Sequence, residues 1–249
     1  MAGHNKWSKV KHIKAVVDAK RGKIFSKFSK ELTLASKLGG SNPELNARLR
    51  TAILNARAQN MPNDNIERAI KKGAGELEGS TLEELVYEGY GPGGVAMLVE
   101  VVTDNRNRAV NDIRVIMGKN GGSIADAGSV AYMFQRLGEI RFPKGHLQED
   151  DAMELALETG GDDVIDGDEE WIIRTAWDQL FAVSSALQAR NITASSTQLI
   201  YHPSTTVTLT DPDTAKALLK LYDALEDYDD TQNVHANFDI DDSIADQLD

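Results

Sequence analysis

The sequence predicts an α+β protein of three parts: an N-terminal helical bundle and two α/β sandwich domains of ferredoxin-like type, the last inserted into the middle one. Three observations predict it. Apolar residues recur at steps of three and four as far as residue 73, and then in extended runs after residue 80. The stretch 136–202 spells β-α-β-β-α-β, the ferredoxin-like order. The flanking stretches 79–135 and 203–240 read β-β-α-β and β-α-β, so they complete a second sandwich that the insertion interrupts. Residues 1–78 form the basic arm and bundle, and 241–249 an acidic tail.

In the bundle, Ile24, Phe25, Phe28, Leu32, Ala35 and Leu38 make one apolar stripe, ended by Gly39-Gly40, with a mostly lysine polar face. A second helix is expected to start with Asn42 as N-cap and Pro43 at the first helical position, burying Leu45, Leu49, Ala52, Ile53 and Ala56. A third follows Met61-Pro62-Asn63-Asp64 and turns Ile66, Ala69 and Ile70 inward, with Lys71 and Lys72 suiting the negative end of its dipole. The glycines at 73, 75 and 79 mark the first linker. Beyond it, strands are expected over 85–90 and 95–103, a helix over 108–117 and a strand over 130–135. The insertion carries strands over 138–142, 163–165, 171–176 and 192–201, with helices over 149–157 and 179–189. A strand over 205–209, a helix over 211–225 and a strand over 234–238 close the second sandwich.

Composition narrows the chemistry. The 249 residues include no cysteine, which excludes disulfides, thiolate metal sites and a cysteine nucleophile. No run approaches the roughly 18 apolar residues of a membrane span, and MAGHNKWSKVKHIK lacks the apolar centre of a signal peptide. A cytoplasmic protein with no membrane partner is expected. The net charge of -12 is an average of two opposites. Residues 1–75 hold 16 Lys+Arg and 5 Asp+Glu, whereas 76–249 hold 11 and 34. Such asymmetry points to a polyanion-binding part on an acidic body. The alternative is a basic surface docked on the acidic one within the molecule. Close packing of cations favours an outside partner: Lys6, Lys9, Lys11, Lys14, Lys20, Arg21, Lys23, Lys27 and Lys30 are answered only by Asp18. His12 lies in the same stretch. Trp7, among these lysines, suits base stacking as well as it suits a hydrophobic anchor onto the bundle.

Other motifs weigh less. Gly89, Gly91 and Gly94 match the dinucleotide fingerprint in letters, but a strand follows them where that fingerprint requires a helix. A hairpin turn needing positive φ is the better reading of Gly91-Pro92-Gly93-Gly94. Its backbone N–H groups and an exposed Tyr90 would then be open to an extended nucleic acid or peptide. Arg106 and Arg108 stand at a strand-to-helix junction, where a capped, solvated helix start with Asp104 or Asn105 as cap ranks slightly above an anion site. The carboxylates from Asp162 to Glu170 fail the EF-hand template, because Val164 and Ile173 occupy ligand positions, and a solvated loop is expected. The five histidines lack metalloprotease spacing, and there is no G-x-S-x-G elbow or Walker A loop. Hence no catalytic residue, metal, cofactor or small-molecule substrate is expected.

Four segments together resemble the YebC/PmpR family: MAGHNKW at the start, MPNDNIERAIKK at 61–72, YEGYGPGGVAMLVEVVTDNRNRA at 87–109 and GGSIADAGSVAYMF at 121–134. The likeness runs collinearly over essentially the whole chain, with Asn5 where the family usually has Ser. That family includes the mitochondrial translational activator of cytochrome oxidase subunit one. The resemblance implies a three-domain α+β fold and a non-enzymatic regulator of gene expression. Members are described as DNA-binding transcriptional regulators, or as ribosome-associated factors that bind ribosomal RNA and relieve stalling at proline-rich stretches.

Overall fold

The computed structural model describes residues 19–79, 81–245 and 247–248, with the backbone alone at 19–21. Among the described residues, three helices come first: α1 (Ala19–Gly39), α2 (Ala47–Ala58) and α3 (Asn63–Gly73). From Leu32 to Ser36 every residue of α1 is buried. Thr33 and Ser36 donate their hydroxyls to the carbonyls of Ala69 and Ile70 on α3. The crossing is tight enough that a Cβ on Gly73 would lie 2.2 Å from the Thr33 carbonyl oxygen.

The second helix begins four residues later than its sequence suggests. Asn46 is the N-cap, its Oδ1 accepting from Leu49 N at 3.0 Å. Its buried amide donates to the carbonyls of Ala35 and Gly40 at 2.8 Å, so one side chain closes α1 and opens α2. Asn42 instead caps a separate turn, accepting from Glu44 N. Leu45, expected inside, is 85 % exposed.

Two compact units follow from the contacts, each built from separated stretches of chain: 28–79 with 136–201, and 1–27 with 80–135 and 202–249. The first unit contains most of the bundle and a four-stranded sheet, β5-β6-β4-β7, from β4 (Phe134–Pro143), β5 (Asp163–Gly167), β6 (Glu170–Ala176) and β7 (Ser196–Pro203). This is the ferredoxin-like order, with the first and third strands of the motif in the centre. Helices α5 (Glu149–Thr159) and α6 (Leu180–Ala189) pack Ala152, Leu155, Ala156, Val183 and Leu187 against Ile140, Phe142, Trp171 and Ile173. The two strands expected over 130–135 and 138–142 are one: Ala131–Met133 forms a 3₁₀ turn that leads directly into β4.

The second unit is built on β1 (Glu83–Tyr90), β2 (Ala96–Thr103) and β3 (Ser123–Ile124) with β9 (Thr231–Ala236), in the order β3-β1-β2-β9. A short parallel pair joins β8 (Val207–Leu209) to β10 (Phe238–Ile240). One face of the sheet is covered by α4 (Arg106–Lys119) and α7 (Pro212–Glu226), which bury Ala109, Ile113, Met117, Leu218, Leu221 and Leu225 against Met97, Val99 and Val101 of β2. A last turn, α8 (Asp242–Ala245), seats Ile244 in the same core.

Candidate nucleic-acid interface

Of the basic residues singled out, Lys6, Trp7, Lys9, Lys11, His12 and Lys14 lie outside the described residues. Lys20 and Arg21 fall in the first turn of α1. Lys23 and Lys27, one helical turn apart, are engaged within the chain. Lys23 Nζ donates to Asp227 Oδ1 at 2.9 Å and to its carbonyl at 3.2 Å, and Lys27 Nζ donates to the Gln232 carbonyl at 3.1 Å. Internal docking of a basic on an acidic side chain therefore does occur at Lys23, and Lys27 beside it is held by a backbone carbonyl. Lys30 is half-buried.

The glycine-rich loop is a hairpin. Gly93 and Gly94 have φ of 76° and 73°, and Gly91 N donates to Val95 O at 2.8 Å. The strand β2 follows, so no helix N-terminus meets a phosphate here. Gly91 is buried, and a Cβ on it would sit 2.7 Å from Leu218 Cδ1. The loop thus packs on α7, and its second constraint is close approach. Tyr90, expected to be exposed, is half-buried with its hydroxyl donating to the Ser129 carbonyl at 3.3 Å. Pro92 lies beside Gly121, at the start of the segment that leads to the 3₁₀ turn at Ala131–Met133: a Cβ on Gly121 would sit 3.5 Å from Pro92 Cγ.

That segment is ordered by Glu88, a residue without any sequence signal beyond its place in a strand. Its carboxylate is buried under the loop and accepts from the backbone N–H groups of Gly128 at 2.5 Å and of Val130 and Ala131 at 2.8 Å. Burial pushes this carboxyl up, but the three donors outweigh it and hold it below the ordinary glutamate value.

At the β2–α4 junction, Asn105 is the N-cap, with its side chain accepting from Arg108 N. The two arginines there differ. Arg108 Nη2 donates to Asp104 Oδ1 and Asp230 Oδ2, both at 2.9 Å. Asp230, whose side chain is 9 % exposed, also accepts from the Thr103 hydroxyl at 2.8 Å. Tyr228 OH donates to Asp112 Oδ2 at 2.9 Å and lies 3.2 Å from Asp230 Oδ2. Burial, then the bond to Asp112, drives the Tyr228 phenol well above its usual value. Arg108 is a structural member of this network. Arg106 projects into solvent. In the acidic hairpin, Asp166 pairs with Lys144 and accepts from Asp168 N. Among the described residues, no three His, Asp or Glu side chains converge as a metal site, and no helix is long and apolar enough to cross a membrane.

The match with known proteins extends over both units. Residues 5–76 fit the model of the TACO1/YebC protein N-terminal domain, and residues 82–238 that of the TACO1/YebC second and third domain. The chain belongs to the TACO1/YebC family. Two curated relatives, from Syntrophobacter fumaroxidans and Aquifex aeolicus, are 51 % and 48 % identical over 248 residues, covering all of each chain; both carry the name "Probable transcriptional regulatory protein". A crystal structure of a conserved hypothetical protein from Aquifex aeolicus superposes with a TM-score of 0.85 at 47 % identity, over 92 % of this chain and 94 % of that one. This TACO1/YebC-family chain therefore shares its α+β fold with that relative.

Proposed function

We propose that the chain is a non-enzymatic, cytoplasmic, nucleic-acid-binding regulator of gene expression, acting on DNA as a transcriptional regulator. The observation that carries the reading is the segregation of charge: 16 Lys+Arg against 5 Asp+Glu in residues 1–75, ahead of a body with 11 against 34. The arm from Lys6 to Lys14, with Lys20, Arg21 and Lys30, supplies the phosphate contacts, and Trp7 a stacking surface. Lys23 and Lys27 join them by exchanging Asp227 and Gln232 for phosphate. The relatives' name supports transcription as the process.

A second reading, a ribosome-associated translation factor on ribosomal RNA, is favoured by the make-up of the basic segment: 11 of the 16 cations in residues 1–75 are lysine, which recognises backbone and shape.

Sedimentation of lysate on a sucrose gradient, with promoter-fragment binding in parallel at physiological salt, separates the two. A free protein with a preferred promoter supports the first; co-migration with ribosomes and no preference among fragments supports the second. Neutralising Lys9, Lys11 and Lys14 should flatten the log–log salt dependence by about 0.9 per lost contact on duplex DNA. An unchanged slope would remove the arm from the interface.

A further inference from the structure

The stretches 80–135 and 202–249 contain nineteen carboxylate side chains and only six Lys or Arg. All six of those cations lie on α4 or α7, the two helices that form one layer on the sheet. Four of the nineteen carboxylates share these helices: Asp112, Asp213, Asp223 and Glu226. The outer layer is therefore net positive, while everything else in these stretches is negative.

The side-chain partners sharpen the contrast. Arg108 and Asp112 are held in the network around Asp230. The side chains of Arg106, Arg114, Lys119, Lys216 and Lys220 are exposed and make no hydrogen bond or ion pair among the described residues. Asn107 and Asn111 are exposed and equally without a hydrogen-bond partner among them. At spacings of four and three, Asn107, Asn111 and Arg114 form a single row along α4, opposite the buried Ala109, Ile113 and Met117. Gly118 continues that row, and nothing lies within 4 Å of where its Cβ would be.

We infer that the α4–α7 layer is a second nucleic-acid surface, distinct from the basic arm, and that its occupant is double-stranded RNA. The inference rests on the nucleic-acid reading above and goes beyond it in location and ligand. Two helices side by side, about 8–10 Å apart between axes, span about 20 Å, too broad for the roughly 12 Å major groove of B-DNA. An A-form duplex instead offers a wide, shallow minor groove edged by phosphates and lined with 2′-hydroxyls. The Asn107 and Asn111 carboxamides both donate and accept, as a hydroxyl does, and the flanking cations reach for phosphate. The carboxylates elsewhere in these stretches repel the duplex from other faces.

The test uses the full chain and fluorescence anisotropy on a 20-bp RNA duplex and a DNA duplex of the same sequence. Asn111→Ala/Arg114→Ala and Lys216→Ala/Lys220→Ala should each weaken RNA binding about ten-fold or more, the scale of one or two charge-assisted contacts. Their effect on DNA should be several-fold smaller, and Arg190→Ala on the inserted domain should change neither. These side chains are exposed, so melting temperatures should match the parent. Unchanged RNA affinity in both double variants overturns the inference. So does a parent chain that binds the DNA duplex but not the RNA, an outcome that leaves the DNA reading standing. A parent that binds neither overturns both.

Discussion

The side chain of Asn55 pairs with the backbone of Thr197 as a neighbouring strand would. Its Nδ2 donates to Thr197 O at 2.6 Å, and its Oδ1 accepts from Thr197 N at 3.0 Å. Thr197 is buried, so its backbone N–H and carbonyl rely on Asn55 for these bonds. Asn55→Ala is expected to cost about 1–3 kcal/mol in stability, the scale of leaving buried backbone groups unsatisfied. Urea unfolding with an unchanged m-value checks it; a midpoint within error of the parent would show that the pairing is replaceable.

Gly73 and Gly118 both end or nearly end helices, yet alanine should act on them in opposite directions. At Gly73 the new Cβ meets the Thr33 carbonyl at 2.2 Å, which forces α1 and α3 apart and should destabilise by about 1–3 kcal/mol. At Gly118 it meets nothing, and the helix gains about 0.5–1 kcal/mol from reduced backbone freedom in the unfolded chain. Thermal melts of the two variants should fall on either side of the parent.

Acid should loosen the loop held by Glu88. Its folded pKa is depressed, so its contribution is present above the unfolded value of about 4.3 and is lost as pH falls through the lower folded value. Glu88→Gln turns one acceptor into a donor facing backbone N–H groups. The variant should melt below the parent at neutral pH, with the gap closing at the acid end of a melting series. A gap independent of pH would mean that the carboxylate charge is irrelevant to the clamp.

The two arginines at the start of α4 separate stability from binding. Arg108→Ala leaves the buried Asp230 short of its guanidinium partner and should lower the melting temperature. Arg106→Ala, at an exposed position, should stay within about 0.5 kcal/mol of the parent while weakening nucleic-acid binding. Paired unfolding and anisotropy measurements would refute the distinction if both variants lost stability alike.

Much of this was legible in one dimension. The change from helical to extended periodicity near residue 80, the β-α-β-β-α-β order of 136–202 and the hairpin glycines all reflect local rules of backbone and burial, which operate over a few residues. Element boundaries were less legible where a side chain acts at a distance. The start of α2 moved from Asn42 to Asn46 because Asn46 reaches back to Ala35, and the 130–142 region became one strand because its lead-in is a 3₁₀ turn. Glu88 offers no pattern at all, since its three donors come from a loop 40 or more positions further along the chain.

By itself, the sequence determined the fold class, the family and the division into a basic start and an acidic body. These follow from residue types and their spacing. Which cations are already engaged was decided only by tertiary structure. Lys23 meets Asp227 across 204 positions and Arg108 meets Asp230 across 122, whereas Arg106 and Arg114, identical in chemistry, face outward. A charge acts through what lies within a few ångströms of it, and that neighbourhood exists only once the chain has folded.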